Sequence, residues 1–189
     1  MGRPKALLPF GPGEVMLQRV VRLVREVVGP VVVVAAPDQD VPPLPPDILI
    51  VRDPVADRGP LQGLAAGLAA LPIEVEFAYA TATDVPFLEP AWIRLLCDRI
   101  GAADLAIPLV GGYHQPLAAL YRRSTCLHAA ERLIAQGRMR PAFLIEMVCA
   151  VVLDEPTMRT VDPLLGTIRN LNTPEDYRDA LADLAAAVG

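Results

Sequence analysis

The sequence is poor in the residues that most often build metal and redox sites. Its three cysteines, Cys97, Cys126 and Cys149, are far apart, odd in number and free of any C-x-x-C spacing, so neither a zinc site nor a disulfide framework is expected. Each falls in a helix-like apolar stretch, where a free cysteine behaves as a small hydrophobe, and all three are expected in the core. The two histidines, His114 and His128, lack a regular ligand spacing, so histidine-based metal chemistry is not expected. Long hydrophobic runs are also missing: none approaches the roughly 20 residues that span a bilayer. The opening Met1-Gly2-Arg3-Pro4-Lys5 has no apolar signal core, so a cytoplasmic protein with no membrane partner is expected. An excess of positive charge is absent too. With 17 basic and 22 acidic residues the net charge is -5, which excludes the broad positive field that holds a nucleic-acid backbone.

What the chain does have is apolar content. A hydrophobic fraction of 53% and a mean hydropathy of +0.38 lie far from the composition of disordered chains. A length of 189 residues suits one hydrophobic core and is too short for two ordinary domains, so residues 1–189 are expected to form a single domain.

Apolar runs with β-branched residues predict short buried strands at Val31 to Ala36, Ile48 to Val51, Phe77 to Thr83, Leu105 to Leu109, Pro116 to Tyr121 and Val151 to Leu153. Helical periodicity predicts a first helix from Glu14 to Val28, with Leu17, Val20, Val21, Val24, Val27 and Val28 on one stripe and Gly29-Pro30 as its stop. Further helices are predicted at Pro60 to Leu71, Glu89 to Ile100, Ser124 to Gln136 with Ser124 as N-cap, and Thr173 onward to Val188. In the last, Thr173, Pro174 and Asp176 form a capping-box-like start. Alternating strands and helices imply right-handed crossovers and an α/β fold: a doubly wound, mainly parallel sheet in a three-layer α/β/α arrangement. The proline cluster Pro42-Pro43-Leu44-Pro45-Pro46 reads as a stiff connector.

Ligands of such sheets bind beyond the carboxyl ends of the strands. Asp84 follows the run ending at Thr83, where it could bridge Mg²⁺ to phosphate oxygens or equally cap the next turn. The Arg52 to Gly63 segment, containing Asp53, Gly59 and Gly63, opens into a helix whose first N–H groups could meet a nucleotide, or it is an ordinary connection. Lys5 alone would be solvated surface. Asn170 and Asn172 alternate just before a helix cap and could face one ligand together, or serve the turn.

Five segments in this order resemble the molybdenum-cofactor guanylyltransferase family of nucleoside-triphosphate transferases, over almost the whole chain. Met1 to Pro9 resembles the second half of the signature L-A-G-G-x-S-x-R-M-G-x-x-K-x-L-L, and Gly59 to Leu64 resembles G-P-L-x-G-L/M. Thr83-Asp84-Val85-Pro86-Phe87 resembles C-D-M-P-F, Gln115 to Tyr121 resembles H-P-L-x-A-L-Y, and Asn170 to Asp176 resembles N-[IV]-N-T-P-E-[DE].

The resemblance implies a Rossmann-like nucleotidyltransferase in which Gly2, Lys5, Asp53 and Asp84 bind the nucleotide. Lys5 would touch the triphosphate and Asp84 would hold Mg²⁺. Gln115, Pro116, Asn170 and Asn172 would lie toward the second substrate. The implied reaction is attack of the molybdopterin phosphate on the α-phosphorus of GTP, releasing pyrophosphate. Positioning and charge neutralisation drive such transfers, so no nucleophile–base pair is required. Cofactor-delivery proteins or molybdoenzymes would be further partners.

Four positions depart from the pattern. Thr83 and Val85 flank Asp84 in place of the usual residues, Gln115 stands where a His precedes Pro-Leu, and Val34 stands where some members carry a nucleotide-contacting Asn. A CTP-dependent cytidylyltransferase and a non-catalytic nucleotide- or cofactor-binding relative are therefore the rival expectations.

The first strand and the L-A-G-G-x-S-x-R half of the phosphate loop have no counterpart in the chain. In that architecture the strand would be central, and its omission would expose strand edges and remove N–H groups that cradle a triphosphate. An in-frame upstream continuation encoding a short apolar strand and Gly-Gly is expected, with weak GTP binding by the chain as it stands.

Overall fold

The structure is a computed structural model that describes residues 4–53 and 59–188; the expectation placed on Gly2, and those parts of the Arg52 to Gly63 segment between 54 and 58, fall outside these residues. In chain order the main elements are α1 (Met16–Arg25), β1 (Val32–Ala35), β2 (Leu49–Arg52), α2 (Pro60–Ala70), β3 (Phe77–Thr81), α3 (Pro90–Arg99), β4 (Leu105–Val110), β5 (Tyr113–His114), β6 (Ala118–Arg122), α4 (Arg123–Ala135), β7 (Ala150–Asp154), α5 (Glu155–Arg159) and α6 (Pro174–Val188).

Side chains along β3, β4 and β6 alternate between two cores, as the two-residue period of a strand requires. Leu105 and Ile107 of β4, Ala119 and Tyr121 of β6, and Ala78 and Ala80 of β3 pack with α2 and α4. Ala106 and Val110, Ala118 and Leu120, and Phe77 and Tyr79 face the opposite way, toward α3 and Met158 of α5. Both faces of the sheet are thus covered by helices, and the expected three-layer α/β arrangement is observed.

The strand pairing corrects one expectation. Strands β1–β2 and β4–β7 pair parallel, but β6 is antiparallel to both β3 and β4, and β5 is antiparallel to β4. Among the described residues the pairing is mixed, not mainly parallel. The reason is local: Gly111 and Gly112, at φ 58 and 80, turn the chain straight back after β4 with no crossover helix. Among the described residues β1 and β2 form one sheet, and β3 is the outer strand of another in the order β3-β6-β4-β5, with β7 on β4.

Other boundaries shift for physical reasons. Helix α1 ends at Arg25, short of the expected Val28. The expected strand from Pro116 starts at Ala118, whose N–H is still held in a turn by the Gln115 carbonyl at 3.1 Å. Helix α4 begins at Arg123, and Ser124 is its second residue rather than a cap. Of the three cysteines only Cys126 is buried; Cys97 and Cys149 are exposed.

The loop between α5 and α6 is built on a buried carboxylate. Asp162, 3% exposed, accepts the N–H groups of Gly166 at 3.0 Å and Thr167 at 2.8 Å, and Thr167 Oγ1 accepts the N–H of Glu89 at 3.0 Å. Leu165 is held here in the left-handed region at φ 55. Gly166 has no room for a side chain: a Cβ would stand 2.9 Å from Phe87 Cβ and 3.0 Å from the Phe87 carbonyl oxygen. Because one of those atoms is backbone, relief requires moving the Asp84 to Leu88 loop. Gly166→Ala is expected to lower stability by about 1–3 kcal/mol in urea titration, the range of overpacked sites; an unchanged midpoint would show that the loop yields freely.

Candidate active site

The Asp84 loop lies just beyond the carboxyl end of β3, and three segments distant in sequence are tied to it. Lys5 sits in a short 3-10 turn, Lys5–Leu7. Its neighbour segment is anchored by Phe10, which is fully buried with Met16, Leu171 and Ala180 and meets Phe87 edge to face at 5.5 Å between ring centres. Arg19 of α1 donates to the Pro86 carbonyl at 2.7 Å and lies over the Phe10 ring. Tyr177 of α6 donates to the Pro9 carbonyl. The backbone N–H of Leu171 donates to the Asp84 carbonyl at 3.0 Å. Val85, beside Asp84, is buried against Val20, Val24 and Ile93, which accounts for an aliphatic residue there.

The carboxylate of Asp84 is engaged on both oxygens. Lys5 Nζ donates to Oδ2 at 2.9 Å and Asn170 Nδ2 donates to Oδ1 at 2.7 Å. Lys5 Nζ also donates to Asn172 Oδ1 at 2.7 Å. The Lys5 and Asp84 side chains are 34% and 14% exposed, so the pair is open to ligand on one side while screened by protein on the other.

The two asparagines reach the pair because of the cap that follows them. Asp176 Oδ2 accepts the N–H groups of Asn172 at 2.9 Å and Thr173 at 2.8 Å, while Thr173 Oγ1 accepts the Asp176 N–H at 3.0 Å. This is the predicted capping-box start of α6. The N–H groups of Thr173 first, then Asn172, hold the Asp176 carboxyl below its ordinary range. The cap's contribution is therefore full above the ordinary carboxylate pKa and is lost as pH falls through the lowered value.

The structure brings Lys5, Asp84, Asn170 and Asn172 into one hydrogen-bonded cluster. Asp53 lies elsewhere: its N–H donates to the Ala35 carbonyl at 2.8 Å, beyond the carboxyl end of β2 and facing Gly63 of α2. Gln115 and Pro116 form the turn between β5 and β6, where Gln115 Nε2 donates to the Tyr113 carbonyl at 3.1 Å and the Pro116 carbonyl accepts the Tyr121 hydroxyl at 2.6 Å. The Asp53 N–H is bonded to the end of β1, and Gln115 and Pro116 are bonded to the β5–β6 hairpin, so none of these three hydrogen bonds involves the Lys5–Asp84 cluster. Sequence reasoning passed over Asp162, which anchors the loop leading to Asn170. Its signal was an Asp followed four residues later by Gly, the pattern of a side chain that caps backbone N–H groups.

Among the described residues no group of three or more His, Cys, Asp or Glu stands together, so these residues form no protein-only cation cage. One carboxylate suits Mg²⁺, which keeps several waters and completes its shell with phosphate oxygens. Asp84 fits that demand, since each of its oxygens accepts one hydrogen bond and retains another lone pair. Lys5 offers a positive charge at the same place.

Residues 1–149 match the family described as the MobA-like NTP transferase domain. A molybdenum cofactor guanylyltransferase of Desulfosudis oleivorans is 33% identical, over 92% of this chain and 84% of that protein. A protein of Mycobacterium avium named probable molybdenum cofactor guanylyltransferase is 34% identical, over 98% of this chain and 90% of its own length. The crystal structure of molybdopterin-guanine dinucleotide biosynthesis protein A from Archaeoglobus fulgidus superposes with a TM-score of 0.61 at 26% identity, covering 73% of this chain and 69% of that one.

Sheet architecture, site position and relatives agree on one class, the nucleotidyltransferases of Rossmann-like fold. Within that class, the chain belongs to the MobA-like NTP transferase family. No described helix is long and apolar enough to cross a membrane.

Proposed function

We propose that the protein moves GMP from GTP to the phosphate of molybdopterin, releasing pyrophosphate. The observation that carries this reading is the Lys5–Asp84 pair at 2.9 Å beyond the carboxyl end of β3, in a chain about one third identical to proteins named for this activity. Asp84 would hold Mg²⁺, which would neutralise charge on the triphosphate and its pyrophosphate leaving group. Lys5 binds phosphate oxygens through its ammonium group. Asn172 fixes the direction of that group, and Asn170 fixes the Asp84 carboxylate through Oδ1. Asp53, at the end of β2, binds the nucleotide. Gln115, Pro116 and the Asn170–Asn172 turn lie toward the molybdopterin. The acceptor phosphate is already an anionic nucleophile, so the protein contributes placement and charge compensation and no proton-abstracting base is needed.

The test is single-turnover transfer with protein in excess, which reveals chemistry even when nucleotide binding is weak. With molybdopterin and Mg²⁺, α-labelled GTP is expected to pass its label to the acceptor with release of pyrophosphate. Faster transfer from CTP would overturn the choice of base. Transfer from neither nucleotide would overturn the enzymatic reading.

A further inference from the structure

Three contacts fasten the segment that follows β3 to the loop that precedes α6. Gly166 lies against Phe87 with no room for a Cβ between them. Thr167 Oγ1 accepts the Glu89 N–H at 3.0 Å, and the Leu171 N–H donates to the Asp84 carbonyl at 3.0 Å. The loop thus grips residues 84–89 along their length. It also delivers Asn170, whose Nδ2 donates to Asp84 Oδ1 at 2.7 Å.

Two polar residues of this loop are buried, Asp162 at 3% and Thr167 at 0% exposed. A buried carboxylate is costly unless its oxygens are hydrogen-bonded, and Asp162 spends both of them on the loop, at the N–H groups of Gly166 and Thr167. Its own N–H donates to the carbonyl of Met158 at 3.1 Å, and Met158 is fully buried in the core beside Trp92. From this anchor to Asn170 each step of the backbone is bonded: Ile168 to the Leu165 carbonyl at 3.2 Å, Arg169 to Gly166 at 3.1 Å and Asn170 to Ile168 at 3.1 Å. Leu165 is kept at φ 55, a conformation that persists in a leucine only where the surroundings impose it. A continuous chain of bonds therefore runs from the core to Asp84 Oδ1.

We propose that Asp162 is a positioning residue, acting through Thr167 and Asn170 to fix the direction of the Asp84 carboxylate and so to set the affinity of the site for its divalent cation. Asp162 is too enclosed to meet a substrate itself. Its leverage comes from a competition at Asp84, where Lys5 draws on Oδ2 and Asn170 on Oδ1. While Asn170 is in place, Oδ1 keeps its direction and a free lone pair. Once Asn170 is released, the carboxylate turns toward the Lys5 ammonium group, and the cation loses the oxygen presented to it. Outer partners of this kind orient metal ligands in general. The effect on Mg²⁺ rests on the metal role proposed for Asp84 above; the effect on the Asn170–Asp84 hydrogen bond does not.

The test uses the full chain with Asp162→Asn, Thr167→Val and Thr167→Ser. Asp162→Asn keeps the side chain's size but turns a donor toward one of the two backbone N–H groups. Thr167→Val removes the hydroxyl that accepts from Glu89 with little change of shape, and it carries the test if Asp162→Asn does not fold. Thr167→Ser retains that hydroxyl. NMR first reads the Asn170 side-chain amide with no nucleotide or metal present. Its protons are expected to lose the downfield shift of a carboxylate-bonded N–H in Asp162→Asn and Thr167→Val, and to keep it in Thr167→Ser. Transfer is then followed against Mg²⁺. The half-saturating Mg²⁺ concentration is expected to rise on the order of 10-fold in the first two variants, the loss typical of removing an outer partner of a metal ligand. At saturating Mg²⁺ the rate is expected to recover, and Thr167→Ser should follow the parent throughout. In an Asn170→Ala background Asp162→Asn is expected to add no further shift, because both changes break one connection. An Asn170 signal unmoved in the folded variants would overturn the proposal, and so would half-saturation shifts that add independently in the double variant. If the parent transfers no nucleotide, the function proposed above falls, and the Asn170 signal alone decides whether Asp162 positions Asp84.

Discussion

Asp84→Asn lowers nucleotidyl transfer by on the order of 10²–10³-fold, the loss typical of removing one preorganised electrostatic group. The substitution keeps the shape of the side chain and the carbonyl that accepts from one neighbour. It removes the negative charge, which is the property that attracts a divalent cation and pairs with Lys5 at 2.9 Å. Its amide group also replaces one acceptor with a donor, directed at either the Lys5 ammonium or the Asn170 amide, so the cluster opens on that side. Pyrophosphate release followed over a range of Mg²⁺ concentrations should show a lower plateau and a shift of half-saturation to higher Mg²⁺. The fold should survive, because an ion pair open to solvent on one side contributes only about 1 kcal/mol, so urea midpoints of the two proteins should lie close together. A variant that turns over like the parent would remove Asp84 from the mechanism. A variant that unfolds would instead show that Asp84 is a structural cap.

Trp92→Ala should produce the largest loss of stability of a single substitution in the sheet's α3 face, about 3–5 kcal/mol. Trp92 is completely buried, packs with Leu96, Leu120, Leu153 and Met158, and donates its indole N–H to the Ala118 carbonyl at 3.0 Å. Truncation leaves a cavity and takes the indole partner from the Ala118 carbonyl at the start of β6, opposite Thr81 in the register. Both effects destabilise, and the relaxation of α3 onto the sheet offsets only part of the first. Trp92→Phe separates them: it retains much of the packing and forfeits the hydrogen bond, so a smaller loss of about 1–2 kcal/mol is expected. Equilibrium urea unfolding checks both. A loss below about 1 kcal/mol for the alanine variant would mean that α3 is not braced through this side chain.

Much of the architecture was readable because the strands and helices carry strong local patterns. The valine run of β1, the continuous apolar runs of β4 and β6 and the cap at Thr173 each follow from local side-chain patterning or turn chemistry, and the structure places them within a few residues of expectation. The pairing of β6 was not readable. Its direction depends on whether a crossover helix or a turn precedes it, and Gly111-Gly112 together with the two-residue β5 is too short a signal for period-based reading. The exposure of Cys97 and Cys149 was also missed, since an apolar neighbourhood in sequence does not say which face of a helix or which side of a loop points inward.

The candidate site divides in the same way. Asp84, Lys5, Asn170 and Asn172 could each be singled out in the sequence, yet position alone left Asp84 and the two asparagines open between a ligand role and a turn role, and read Lys5 as solvated surface. What joins them is a set of contacts across 79 to 167 residues of chain, held by the Phe10–Phe87 packing, the Leu171–Asp84 backbone bond and the buried Asp162 loop.

By itself the sequence determined the longer helices, most of the strands, their apolar faces and the short list of chemically useful residues, because these depend on neighbours within a few residues. Only the tertiary structure decided that the lysine and the carboxylate meet, that the two asparagines reach them, and that β6 runs antiparallel to both its neighbours. Those outcomes depend on how distant segments pack, and no local pattern encodes that.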